Sequence, residues 1–192
     1  MVQKIIRENS GRMKAGQDLV VAGFAGWAGT WRIIAAKRRE LEQWFAPCYL
    51  DGMAGDVPPE GQMPGSIWTR KDWEAFGASD WEPAGAGGIL AAIWNLLGAY
   101  GLGAEFSLRQ IPIKQGTIEI CEHLGLNPYR LYSQGCHLLA SENGGKMVRY
   151  LAGRGITAKV IGEITSNIAK VNTDGGGQSF LNRPEPDELE RI

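Results

Sequence analysis

The apolar residues of this chain fall into runs whose period changes from segment to segment. Asp18 to Phe24, DLVVAGF, is a β-branched apolar run, the pattern of a strand buried on both faces. A glycine loop, Gly26-Trp27-Ala28-Gly29, follows. Thr30 is placed to N-cap a helix over 31–45 with a core stripe of Ile33, Ile34, Leu41, Trp44 and Phe45. Thr69 caps a short helix to Phe76. From Pro83 to Ala104 no residue is charged, and Ile89, Leu90, Ile93, Leu96, Leu97 and Tyr100 form a helical stripe. The segment has the length of a bilayer span, but six glycines and Asn95 interrupt it. A buried core helix is expected there, and no membrane span.

Further on, Glu105 to Ile111 alternates as a strand, with Phe106 and Leu108 on one face. Thr117 to Leu124 reads as a short helix, with Cys121 on its buried face beside Ile118 and Leu124. Asn127-Pro128 opens another turn or helix. Cys136 to Ser141 is a strand, and Gly145 to Gly153 a helix ended by Gly-Arg-Gly. Strands at 157–164, 169–173 and 177–181 follow, joined by turns. Strands and helices alternate, but the last strands come in close succession and read as antiparallel. The fold class expected is α+β, a mixed sheet with packed helices, over residues 15–183. Residues 1–14 form a basic lead, 51–66 a flexible Gly/Pro-rich loop, and 184–192 a charged tail.

A length of 192 residues bounds the chain to one domain with trimmings. The formal net charge of −1 excludes a nucleic-acid binder that works by bulk charge. Charge is uneven, with eight Lys/Arg against four Asp/Glu in residues 1–50 and three against eight in 51–110. Three cysteines and an N-terminus without an apolar signal segment lead to the expectation of a cytoplasmic protein without a disulfide framework. Glycine is the outlier: 27 residues without a repeated tract point to tight turns or close backbone–ligand approaches.

Twice a strand-like run meets a glycine loop and then a helix: VVAGFAGWAGT before residue 31 and EPAGAGG before residue 89. The first-turn N–H groups of a helix favour an anion, and glycine removes the Cβ that would keep a phosphate away. Each loop is therefore a candidate phosphate cradle, with Gly26, Gly29, Thr30, Gly85, Gly87 and Gly88 as the candidate ligand-binding residues. The bland alternative is tight helix–sheet packing. Neither loop has a Walker lysine or the dinucleotide fingerprint. Cys121-x-His123 and Cys136-His137 carry zinc-type ligands, but at spacings that point their side chains apart, so no metal site is expected. There is no G-x-S-x-G elbow, and no catalytic residue stands out. Trp27 and Trp31, beside the first loop, suit either an interface or stacking on a base.

Three segments together resemble a known family: GRMKAGQDLVVAGFAGWAGTWRIIAAKRRELEQWF, GGILAAIWNLLGAYGLGAEFSLRQIPIKQGTIEICEHLGLNPYRLYSQGCHLLASENG and GITAKVIGEIT. They are similar to the C-terminal domain of the AIR synthase superfamily, most of all to its hydrogenase expression/formation branch, whose members dehydrate a carbamoyl group. The run I-P-x-x-x-x-T-x-E-I-C-E-x-x-G-x-N-P-Y at 111–129 is the most specific part. The resemblance implies ATP and magnesium as cofactors, and glycine loops at Gly26–Thr30 and Gly85–Gly88 that face a ligand. It implies as partner either a second copy or a separately encoded N-terminal-type domain. The family's second loop reads H-D-x-T-E-G-G; here its Asp and Glu positions hold Pro83 and Ala86, and its Thr position holds Gly85. The first loop's His position holds Ala28. The chain as given has no N-terminal nucleotide domain and closes on Arg191-Ile192, not on the cysteine of the carbamoyl-carrying branch, so carbamoyl transfer through a terminal thiolate is not expected. Three readings stay open: a partner-completed domain that binds a phosphate-bearing ligand, a chemically degenerate interaction subunit, and a self-sufficient enzyme.

Overall fold

The computed structural model describes residues 12–55 and 68–192. Seven strands form one sheet: β1 (Asp18–Ala22), β2 (Ala78–Ala84), β3 (Gly103–Phe106), β4 (Cys136–Ser141), β5 (Ala158–Thr165), β6 (Lys170–Asn172) and β7 (Ser179–Phe180). Their order is β2-β4-β1-β5-β3-β6-β7. Neighbours are antiparallel except β3 and β6, which run parallel. The described helices are α1 (Trp27–Leu41), α2 (Pro47–Gly55), α3 (Arg70–Ala75), α4 (Gly88–Tyr100), α5 (Gln115–Leu124) and α6 (Gly144–Ala152). This is the α+β architecture with a mixed sheet that the sequence predicts.

Alternation in β1 explains the layering. Leu19 and Val21 join the core under α4, while Val20 and Ala22 face the opposite side with Trp73 of α3 and Met147 and Leu151 of α6. The stripe expected on α4 is the main core: Ile89, Ile93, Leu96 and Leu97 are fully buried. A third cluster joins Ile33, Ile34 and Leu41 of α1 to Leu50 of α2, Ile120 and Cys121 of α5, and Leu131.

Several local expectations change. The first helix begins at Trp27, because Gly26 takes a left-handed conformation (φ 72°) and ends the loop four residues before the expected start. Thr30 is thus not the cap but a buried first-turn residue, its N–H donating to the Gly26 carbonyl at 2.9 Å. Trp44, expected in the core, is 68% exposed, because the helix has ended at Leu41. On α5 the buried face is Thr117, Ile120 and Cys121, and Ile118 is exposed. The strand expected over 105–111 occupies 103–106, and Leu108–Gln110 form a 3-10 turn.

Pro83 and Ala84, expected in a loop, end β2, an edge strand. Residues 51–55 of the expected Gly/Pro loop belong to α2, and 56–66 lie outside the described residues. Of the basic lead, 1–11 lie outside them too, while Met13 is buried in the main core. The tail is not loose along its whole length. Asp187 and Glu188 are buried, and Leu189 packs on the third cluster. No described helix is long and apolar enough to cross a membrane.

Candidate functional site

The two glycine loops meet the same piece of chain. The segment 128–133, which runs from the end of the α5 region toward β4, is wedged between them. At the first loop, the Gly26 N–H donates to Ser133 Oγ at 2.7 Å, and the Gly29 N–H donates to the Tyr132 carbonyl at 2.9 Å. A Cβ on Gly29 would lie 2.4 Å from Leu131 Cγ, so the missing side chain is what lets Leu131 pack against α1. The Thr30 hydroxyl donates to the Gly26 carbonyl (2.9 Å) and lies 2.8 Å from the Thr117 hydroxyl of α5.

At the second loop, Gly87 and Gly88 are both left-handed, with φ of 77° and 65°. Gly88 sits under the same segment: a Cβ there would lie 2.4 Å from the Tyr129 carbonyl oxygen and 2.8 Å from that of Leu131. The Ser133 N–H donates to the Gly85 carbonyl (3.2 Å) and the Leu90 N–H to the Tyr129 carbonyl (3.3 Å). The N–H of Gly87, which caps α4, donates to Asp187 Oδ2 at 2.7 Å. The other oxygen of Asp187 accepts from Leu189 N–H (2.9 Å) and Tyr132 N–H (3.3 Å). A carboxylate from the C-terminal segment thus sits at the start of α4, where the dipole and the unsatisfied donors favour negative charge. Arg130 and Glu185 pair beside it. Between this segment and the loop lies a cavity of about 100 Å³ lined by Gly87, Leu90, Arg130 and residues 180–185.

The structure therefore brings Gly26, Gly29, Gly85 and Gly88 against one segment, 128–133, whereas Thr30 bonds to Gly26 and Thr117 and Gly87 to Asp187. It also adds three groups that sequence reading passed over: Ser133, Tyr132 and Asp187. Only Asp187 carried a readable signal. It opens the Asp-Glu-Leu-Glu run as the N-cap of a short 3-10 turn, and its side chain accepts from Leu189 N–H.

The remaining reactive groups are dispersed. Cys121 lies in the third cluster and Cys136 in the main core, and burial pushes each thiol up to about 12, the Glu188 carboxylate adding to the shift at Cys121. Both are neutral at physiological pH and poor nucleophiles or ligands. His123 lies against the rings of Trp44 and Phe45, and His137 lies tilted against Trp73, 4.9 Å between centroids. Burial drives His137 down to about 4, and its Nδ1 has no hydrogen-bond partner among the described residues. The Gly135 backbone offsets that shift in part. Among the described residues no group of three or more His, Cys, Asp or Glu side chains is arranged to hold a metal ion. ATP and magnesium, implied by the resemblance, would find few ionic partners in the second loop, where Pro83 and Ala86 replace the acids.

Residues 82–171 match the family described as AIR synthase related protein, C-terminal domain. No curated protein sequence matches the chain. Among solved structures, HypE of E. coli, a hydrogenase maturation protein, is similar at 22% identity and a TM-score of 0.68, over 93% of this chain and 53% of that one. HypE in a HypE–HypF complex is similar at 17% identity and 0.65, over 90% and 54%. HypE in complex with ATP is similar at 16% and 0.64, over 92% and 53%. At these identities the likeness is one of fold, and the chain spans about half the length of the structures it resembles. Residues 82–171 thus resemble the AIR synthase C-terminal domain in sequence, and the chain as a whole shares the fold that HypE carries.

Proposed function

We propose that this chain works as one half of a PurM-like assembly, completed by a separately encoded N-terminal-type domain or by a second copy, and takes a phosphate-bearing ligand only within that assembly. The observation that carries this reading is the Asp187 carboxylate on the Gly87 N–H. With Ser133 and Tyr132 on Gly26 and Gly29, it means that both helix starts are already engaged by the chain's own groups. A lone phosphate would have to compete with a buried, pre-positioned carboxylate, whose local concentration a free ligand does not match. The chain spans about half the length of HypE, and the other half of that structure is what a complement would supply; the ATP in one HypE structure supports a nucleotide as the shared ligand. Trp44, 68% exposed, and Ile118, 45% exposed, supply apolar surface for a partner to cover.

Light scattering tests the association. A homodimer is expected, or a one-to-one complex when an N-terminal-type domain from the same genome is added. A chain that stays monomeric over a wide concentration range and does not join that domain would defeat the proposal. An interaction subunit without any ligand is the second reading, favoured by Pro83 and Ala86 at the family's acidic positions; it is distinguished by a complex that forms but binds no nucleotide.

A further inference from the structure

Residues 182–192 cross the second glycine loop without joining the sheet. β7 ends at Phe180, and Leu181 makes the last tie, its N–H donating to the Lys170 carbonyl at 2.8 Å. Beyond it, among the described residues, no backbone-to-backbone hydrogen bond links 182–192 to the rest of the chain. Pro184 and Pro186 have no N–H to offer and favour an extended path. The anchors are side chains. Glu185 pairs with Arg130, both partly exposed. Asp187 accepts from the Gly87 and Tyr132 N–H groups. Leu189 packs on the third cluster, and Arg191 Nη1 donates to the Gly125 carbonyl at 3.3 Å. The path runs close over the loop: a Cβ on Gly87 would stand 3.7 Å from the Glu185 carbonyl oxygen. Between the anchors, residues 182–186 are exposed and line the cavity of about 100 Å³.

A helix cap is ordinarily local. Here the cap position of α4 is glycine, and the carboxylate that serves it comes from 100 residues further along the chain. Two carboxylates of one extended segment, at 185 and 187, dock on two groups that accept anions: a guanidinium and the N–H groups at a helix start. Gly87, Arg130 and Glu185 line the same cavity. Such a pair stands in for two linked phosphates. We propose that 182–192 is an autoinhibitory strap, which fills the anion site of the second loop with Glu185 and Asp187 and is lifted when the assembly forms. This switch rests on the assembly reading above and regulates the same site. Because the strap is tethered, a free anion competes with carboxylates at an effective concentration of about millimolar. A partner that covers the exposed residues 182–186 draws both carboxylates away. Arg130 then passes from Glu185 to the phosphates, and the Gly87 N–H passes to them from Asp187. Gly88 stays under Tyr129 and Leu131 throughout, so the strap moves and the fold does not.

The test uses the full chain carrying Glu185→Gln and Asp187→Asn together, which keep the shapes and remove both charges. Calorimetric titration with inorganic pyrophosphate, with no partner present, should show saturable binding at least about tenfold tighter than in the parent. Arg130→Gln added to that pair should abolish the gain. Carboxylates with a merely structural role would leave a less stable chain that gains nothing. A synthetic peptide of residues 182–192 should displace pyrophosphate from the double variant, and the same peptide with both substitutions should not. A folded double variant that binds pyrophosphate no better than the parent overturns the strap. If the double variant does not fold, Glu185→Gln alone, at a side chain 54% exposed, carries the same expectation and the same refutation. Light scattering judges the assembly reading apart. A parent that associates while the variant gains no affinity refutes the strap and leaves that reading standing; a variant that gains affinity while nothing associates does the reverse.

Discussion

Replacing Asp187 with alanine should destabilise the domain as a buried core change does, although the residue lies in a highly charged, mostly exposed segment. Its carboxylate is 6% exposed and accepts from three backbone N–H groups, at 2.7 Å (Gly87), 2.9 Å (Leu189) and 3.3 Å (Tyr132). A hydrogen bond to a charged group contributes about 1.5–3 kcal/mol net, and loss of a helix N-cap costs about 0.5–2 kcal/mol. The Leu189 contact is local and the Tyr132 contact long, so the Gly87 contact should dominate and the total should come to about 2–3 kcal/mol. For a chain of this size that lowers Tm by about 4–12 °C. Asp187→Asn keeps an acceptor and loses the charge, so it should recover about half the deficit. Urea unfolding reads both, with the m-value unchanged because the surface exposed on unfolding is the same. Glu190→Ala, at an exposed position three residues on, is the control and should be neutral. If Asp187→Ala unfolds within about 0.5 kcal/mol of the parent, the carboxylate does not hold the start of α4, and the reasoning fails.

Other outcomes follow from single residues. Ile93 is fully buried under the sheet, so Ile93→Asp should yield no folded protein by circular dichroism, the unpaired carboxylate costing more than about 4 kcal/mol. Gly88→Ala should destabilise strongly, since its Cβ meets the Tyr129 carbonyl at 2.4 Å with φ at 65°, whereas Gly85→Ala meets nothing within 4 Å and should be nearly silent in the same melt. His137 is held near 4 when folded, below its ordinary 6.5, so the unfolded chain binds the extra proton first. Stability from this group is therefore full above pH 6.5 and is lost as pH falls toward 4, by up to about 3 kcal/mol; His137→Phe should flatten urea midpoints across that window. Trp44→Ser, at a 68% exposed side chain, should change monomer stability by less than about 1 kcal/mol and weaken association instead, as read by light scattering.

The elements legible in the sequence are those whose burial is written in side chains. The runs LVV in β1 and HLLA in β4 and the stripe on α4 name their strands and helix, because each places apolar groups at a period of 2 or 3.6. β2 escaped notice because ASDWEPA mixes charges and a proline, which an edge strand tolerates and a central one does not. α2 escaped because it opens on Pro47, which suits a first helical position but reads as a loop signal in a short segment. The hub at 128–133 was not readable for a deeper reason. Its contacts to Gly29, Gly88 and Leu90 are made by the carbonyls of Tyr132, Tyr129 and Leu131, and a carbonyl oxygen leaves no trace in residue identity. The glycines announced a close approach; they could not say that the neighbour was the chain itself.

The most direct measurement is calorimetric titration of the chain alone with magnesium–ATP, and then with inorganic phosphate. With Gly26, Gly29 and Gly87 donating to Ser133, Tyr132 and Asp187, no heat beyond dilution is expected at millimolar ligand, and binding should appear only when the completing domain is present. Saturable binding to the isolated chain that disappears in Gly87→Val, with the fold retained, would contradict it.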